Sequence, residues 1–112
     1  AGVYGLSNAS LDTPWPKLVQ ARSRFSQHLN STDEELFQLM RDEGRPADNQ
    51  LPDTGVGLAT ERFLSSMFIR GEHYGTRSTS ILRLSGHELH LSERTYNAQA
   101  EPVQQTAVRL AL

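Results

Sequence analysis

Apolar residues recur along the chain in two rhythms, a helical one as far as about residue 70 and an alternating one beyond it. Before the first helical stretch, Val3-Tyr4-Gly5-Leu6 has the β-branched and aromatic content of a short strand over 3–7, and Ser7-Asn8-Ala9-Ser10 is turn-like. Asp12 or Thr13 can cap a helix with Pro14 in its first turn. Trp15, Leu18, Val19, Phe25 and Leu29 keep helical spacing, so this helix is predicted to reach about Leu29, with Arg22 interrupting its apolar stripe. Thr32 and Glu35 form a capping box, and the acidic run Asp33-Glu34-Glu35 suits the positive end of a second helix dipole. Leu36, Phe37, Leu39 and Met40 would face inward there, and Gly44 would end the helix. Residues 44–57 hold two prolines, three glycines and three aspartates or asparagines, which predicts a loop. A third helix is predicted from Ala59 or Thr60 to Ile69, with Leu64, Met67 and Phe68 on one side and Gly71 as its stop.

The alternating rhythm from Thr76 to Thr95 predicts a β-hairpin around Ser85-Gly86. With Leu84 opposite His87, Arg83 faces Glu88, Leu82 faces Leu89 and Ser80 faces Leu91. One face then carries Leu82, Leu84, Leu89 and Leu91, and the other Thr79, Ile81, Arg83, Glu88, His90 and Ser92, as a half-buried antiparallel pair requires. Thr106 to Leu112 reads as a further strand or a frayed tail. The elements together predict an α+β fold, an antiparallel sheet with helices packed on it.

Composition narrows the function more than the fold. At 112 residues the chain is the size of one domain. Its 37% hydrophobic and 21% charged content is that of an ordinary water-exposed protein, with no apolar run able to cross a bilayer. Eleven basic against 13 acidic residues leave a net charge of −2, which gives no general attraction to nucleic acid or anionic lipid. Without cysteine, thiol catalysis by these residues, thiolate metal sites and disulfides are excluded. Lys17 is the sole lysine, and the arginine bias permits fixed contacts to anions. The first residues do not read as a secretory signal and the start reads as internal, so a cytoplasmic fragment or processed chain is expected.

His87-Glu88-Leu89-His90 suggests a metal site, yet residues three apart on a strand point to opposite faces, so the two imidazoles do not converge on one ion. No Gly-x-Ser-x-Gly elbow, P-loop or dinucleotide fingerprint is present, and no cofactor is expected. Tyr74-Gly75-Thr76-Arg77-Ser78-Thr79 sets hydroxyls and a guanidinium where the chain enters a strand. In the register above Arg77 faces Arg94, a pairing of like charges that needs Glu72, Glu93 or a bound anion between them. It predicts either an arginine–carboxylate brace or a site for an anionic small molecule. Asn8 can cap the following helix or donate to an oxyanion at a strand end.

Taken in order, Val3-Tyr4-Gly5-Leu6-Ser7-Asn8, Leu11-Asp12-Thr13-Pro14-Trp15-Pro16-Lys17, Leu51-Pro52-Asp53-Thr54-Gly55-Val56, Phe68-Ile69, Tyr74-Gly75-Thr76-Arg77-Ser78-Thr79 and Glu93-Arg94 resemble the NRDE family, which includes the transport and Golgi organisation protein 2 group. The likeness spans residues 2 to about 96 and the C-terminal part of the family domain. It implies an N-terminal-nucleophile (Ntn) hydrolase-like αββα sandwich, in which an N-terminal cysteine is the nucleophile and its own amine the base. That cysteine and the Asn-Arg-Asp-Glu signature are absent, so the missing N-terminal portion of the domain is the expected partner, and these residues alone would not hydrolyse an amide. By analogy with the wider fold, Asn8 would stabilise an oxyanion and Arg62, in Glu61-Arg62-Phe63-Leu64, would orient the nucleophile or substrate. Trp15, Tyr74, Thr76, Arg77 and Arg94 are the candidate ligand-binding residues. The family resemblance also implies a second reading, a non-catalytic role in Golgi organisation, secretion, or haem or lipid handling, in which His28, His73 or His90 would be the iron ligand.

Overall fold

The computed structural model describes residues 2–112. Three helices, α1 (Pro16–Ser26), α2 (Asp33–Leu39) and α3 (Leu58–Phe63), precede a sheet of three antiparallel strands, β1 (Ser78–Ser85), β2 (Glu88–Tyr96) and β3 (Pro102–Ala111), in the order β1-β2-β3. The fold is α+β, as the sequence predicts. A short 3-10 turn at Asp48–Gln50 is the regular structure within the loop predicted over 44–57.

α1 starts later and ends earlier than its apolar spacing predicts. A residue that precedes proline is pushed out of the α region, and Trp15, ahead of Pro16, sits at φ −62° and ψ 141° as the N-cap. Asp12 does not cap the helix. Its Oδ1 accepts from the Gly5 N–H (2.7 Å) and from Arg22 Nη1 (3.2 Å), tying the opening segment back to α1. The strand predicted over 3–7 is reduced to one bridge, Leu6 to Leu11. The cap of α2 forms as read, with Thr32 Oγ1 accepting from the Glu35 N–H at 3.2 Å and Leu36 and Phe37 buried behind it. That helix stops at Leu39, before Gly44. α3 is also shorter than predicted and ends at Phe63. Beyond it Phe68 is buried, with its N–H bonded to the Asp42 carbonyl at 2.9 Å.

The hairpin turns at Gly86-His87 instead of Ser85-Gly86. Gly86 has φ +58° at the first central position, where a two-residue type II′ connection wants glycine. The register therefore moves by two residues: Leu82 faces Leu91, Leu84 faces Leu89 and Arg83 faces His90. A shift of two preserves the faces, so the predicted grouping of the leucines stands, while the opposition of Arg77 and Arg94 does not. Arg94 faces Thr79, and the Arg77 carbonyl accepts from the Tyr96 N–H at 2.8 Å. The segment after Thr106 belongs to β3, with Leu110 beside Leu89 and Val108 beside Leu91.

α2 packs on the polar face of this sheet. Arg83 Nε and Ser92 Oγ both donate to the Asp33 carboxylate, at 2.9 and 2.7 Å, from the first turn of α2. Arg94 pairs with both Glu34 carboxylate oxygens, donates to Gln105 Oε1 and lies 4.4 Å over the Phe37 ring. Behind them Phe68 and Tyr96 meet edge to face at 4.9 Å, and the Arg41 guanidinium lies over both rings while donating to the Ala100 carbonyl. On the opposite face Leu82, Leu84, Leu89, Leu91, Val108 and Leu110 form one aliphatic patch, with Leu82 63% and Leu84 68% exposed. The surface totals 7566 Å² for 12.5 kDa, where a self-contained protein of that mass exposes about 6,200 Å². The radius of gyration, 15.3 Å, likewise exceeds the roughly 13 Å of a self-contained chain this long.

Candidate functional site

Two depressions lie on either side of the segment Trp15–Lys17. The smaller, about 410 Å³, is enclosed by the start of α1, by α3, by the loop at 46–54 and by Tyr74. The larger, about 660 Å³, is a trough between the Tyr4–Asn8 segment, α1, the end of α2 and β1. Asn8, Trp15 and Lys17 border both.

The polar floor of the smaller cavity is made by the first turn of α1 and by α3. Lys17 Nζ donates to the Leu64 carbonyl at 2.7 Å and lies 5.9 Å from the Trp15 ring. Loss of hydration lowers the Lys17 pKa from its ordinary value, and the Glu61 carboxylate partly offsets that by favouring the charged amine. Glu61 is only 6% exposed. Its Oε1 accepts from both the N–H (2.8 Å) and the hydroxyl (2.6 Å) of Thr54, which fastens the 51–56 loop to α3. Gly57, the N-cap of α3, holds φ +89°, a conformation a side chain would strain, so the loop enters the helix at this angle only through glycine.

Of the residues singled out in the sequence, Asn8, Trp15 and Tyr74 border the smaller cavity, and Thr76 borders the trough. Thr76 is also a clamp, since its Oγ1 accepts from the Ile69 N–H at 2.9 Å. Gly75 beside it passes so close to the Ile69 carbonyl that a Cβ would stand 2.7 Å from that oxygen. The three arginines border neither depression. Arg62 makes a two-point contact with Asp48 on the surface, at 2.9 and 2.5 Å, which raises its own pKa and lowers that of Asp48. Arg94 braces the sheet against α2, its pKa raised first by the hydrogen bond to Glu34, and the Arg77 side chain has no hydrogen-bond partner among the described residues. The structure thus does not bring Asn8 and Arg62 together, nor Arg77 and Arg94. None of His28, His73 and His90 borders either depression, and among the described residues no three metal-binding side chains cluster.

Sequence reasoning passed over Lys17, Glu61 and Thr54. The available signals were the uniqueness of Lys17 and the position of Glu61 directly before Arg62. The three segments 11–17, 51–56 and 74–79, through which the chain resembles the NRDE family, all contribute to the smaller cavity, as Trp15, Pro16 and Lys17, as Leu51, Pro52 and Thr54, and as Tyr74.

The sequence pattern of the family described as "Transport and Golgi organisation 2" matches residues 1–98. The chain belongs to the transport and Golgi organisation 2 family. It is 28% identical over 92 residues to a mouse protein named "Transport and Golgi organization 2 homolog", covering 72% of this chain and 33% of that protein. It is 32% identical over 92 residues to a human "Transport and Golgi organization protein 2 homolog", with the same coverage of each. The chain therefore spans about a third of the length of these curated relatives. No solved structure matches it. The family match takes in both depressions, α1 to α3, β1 and β2, and stops before β3 begins at Pro102. Among the described residues no helix is long and apolar enough to cross a membrane.

Proposed function

We propose that this chain is one wall of a larger small-molecule-binding domain of the transport and Golgi organisation 2 family, supplying binding groups and no nucleophile. The observation that carries the reading is the convergence of three distant family-like segments on one cavity of about 410 Å³, within the range of small-molecule sites. The leucine face is where the rest of the domain would sit, closing an αββα sandwich of which these residues supply one sheet and its helices. The names of the relatives, which refer to transport and Golgi organisation, agree with binding as readily as with chemistry.

The test uses Trp15, the single tryptophan of the chain, which borders both depressions. A panel of small acids, amines and neutral amides is expected to include compounds that shift the Trp15 fluorescence and indole N–H resonance saturably, with the hairpin turn at Gly86-His87 unaffected. A panel in which no compound moves Trp15 contradicts a binding role.

A second reading, hydrolysis of a linear amide by the longer family protein, is favoured by one observation, the position of Asn8 at the rim of both depressions. The cysteine nucleophile that the family resemblance implies would have to come from outside these residues, since the chain has no cysteine. Asn8→Ala in the full-length protein should then cut amide turnover by about 100-fold or more without loss of fold. Unchanged turnover would remove Asn8 from the chemistry.

A further inference from the structure

Lys17 and Glu61 carry opposite charges on the same cavity floor without a direct ion pair between them. Glu61 is more than nine-tenths buried, and a carboxylate taken that far out of water is costly unless its oxygens are satisfied. Thr54 satisfies Oε1 twice over, whereas Oε2 accepts no hydrogen bond from the described residues. That oxygen is not sealed off, because it is absent from the buried side-chain atoms left without a partner. Lys17 spends one N–H on the Leu64 carbonyl and keeps two more. The amine feels the Glu61 charge, yet the two groups do not approach closely enough for an ion pair. An ammonium and a carboxylate that border one cavity without neutralising each other form a fixed dipole. Its complement is a molecule that presents an ammonium toward Glu61 and a carboxylate toward Lys17. The remaining walls are mostly apolar or aromatic, from Trp15, Leu51, Pro52, Ile69 and Tyr74, with Asn8 and Ser65 as the other polar residues.

We infer that the smaller cavity is a site for a zwitterionic α-amino acid with an apolar side chain, held between Lys17 and Glu61 with its side chain against Trp15 and Tyr74. The inference rests on the binding reading of this cavity and goes beyond it by naming the ligand class. A ligand with one charge would leave either Glu61 or Lys17 facing an apolar group, the arrangement that selective sites use to reject an analogue.

The experiment titrates the full chain with L-phenylalanine, phenylacetate, phenethylamine and N-acetyl-phenylalaninamide, following Trp15 fluorescence and its indole N–H resonance. L-phenylalanine is expected to saturate, and each of the other three to bind at least tenfold more weakly. Lys17→Met should weaken L-phenylalanine at least tenfold while leaving phenethylamine nearly unchanged. Glu61→Gln retains an acceptor for Thr54 and should weaken L-phenylalanine similarly, with phenylacetate unchanged or tighter. Failure of L-phenylalanine to move Trp15 while one of the analogues does would overturn the ligand class and leave the cavity a binding site. Equal binding of L-phenylalanine and a singly charged analogue would overturn it too, and silence from all four compounds would count against both readings. The ligand series on the unmodified chain decides the question even where a substitution unfolds it.

Discussion

The two faces of the three-stranded sheet are built from opposite materials, and each meets the surroundings that its composition would not lead one to expect. The face under α2 is charged, with Arg83, Ser92 and Arg94 gripped by Asp33 and Glu34 of that helix. The face turned to solvent is aliphatic, with Leu82, Leu84, Val108 and Leu110 exposed and Leu89 and Leu91 half-buried between them. Burying one such leucine is worth about 1.5–3 kcal/mol, so an isolated chain has no energetic reason to leave Leu82, Leu84, Val108 and Leu110 exposed. The difference is what the proposed sandwich would require of its inner layer. Its helix side is fastened by directional polar contacts from Asp33 and Glu34, and its leucine side is open to a second apolar layer.

The contrast can be broken most severely from the helix side. Phe37 is 1% exposed beneath the Arg94 guanidinium, so Phe37→Ala should cost about 3–5 kcal/mol in a denaturant melt and detach α2 from the sheet. Asp33→Ala removes the common acceptor of Arg83 and Ser92 and should cost about 2–3 kcal/mol, since a half-buried guanidinium then keeps only the Ser31 carbonyl and loses its carboxylate. Acid should weaken the same face. The Asp33 carboxyl is held below its ordinary pKa first by the Ser92 hydroxyl and then by Arg83, against the opposing effect of burial, and Asp42 is lowered by Arg24 and the Gly44 N–H. A carboxylate with a depressed folded pKa contributes fully above its unfolded value of about 4, and the contribution fades as the pH falls through the lower folded value. Thermal melts should therefore hold steady from neutrality to about pH 4 and then drop, with a shallower drop in Asp33→Asn. Thr32→Ala, which removes the α2 cap, should cost about 1 kcal/mol in the same assay. At the small end, Leu84→Ser on the open face should change the stability of the monomer by no more than about 0.5 kcal/mol, because the side chain is already in water. A loss of 2 kcal/mol there would mean that the leucine face is covered within the chain itself.

Much of this architecture was legible in the sequence. The Thr32 cap, the inward Leu36 and Phe37, the α+β class and the division of the hairpin into leucine and polar faces follow from local spacing. The turn was missed by one residue because Ser85-Gly86 and Gly86-His87 both offer glycine to a tight connection. Only the second puts it first, where a positive φ is required. The early end of α3 was not legible, since the apolar spacing of Leu64 to Phe68 continues although the chain leaves the helix to bond Asp42. Alternation also says that two faces differ, and not which neighbour each one meets. The site was legible in part. Asn8, Trp15 and Tyr74 were found because they stand in motif-like segments, whereas Lys17 and Glu61 matter through a cavity that joins residues more than 40 positions apart. Arg77 and Arg94 were linked by a register two residues out of step with the real one.

The central claim is that the leucine face exists to be covered. Sedimentation equilibrium of the chain beside a Leu84→Lys/Leu110→Lys double variant, which plants charges on the two outer strands of that face, either side of Leu89, tests it most directly. The account predicts that the unmodified chain associates with itself across a micromolar concentration range and that the double variant sediments as a monomer with the same thermal melt. A chain that stays monomeric over that range and melts cooperatively, with the double variant indistinguishable from it, would contradict the claim.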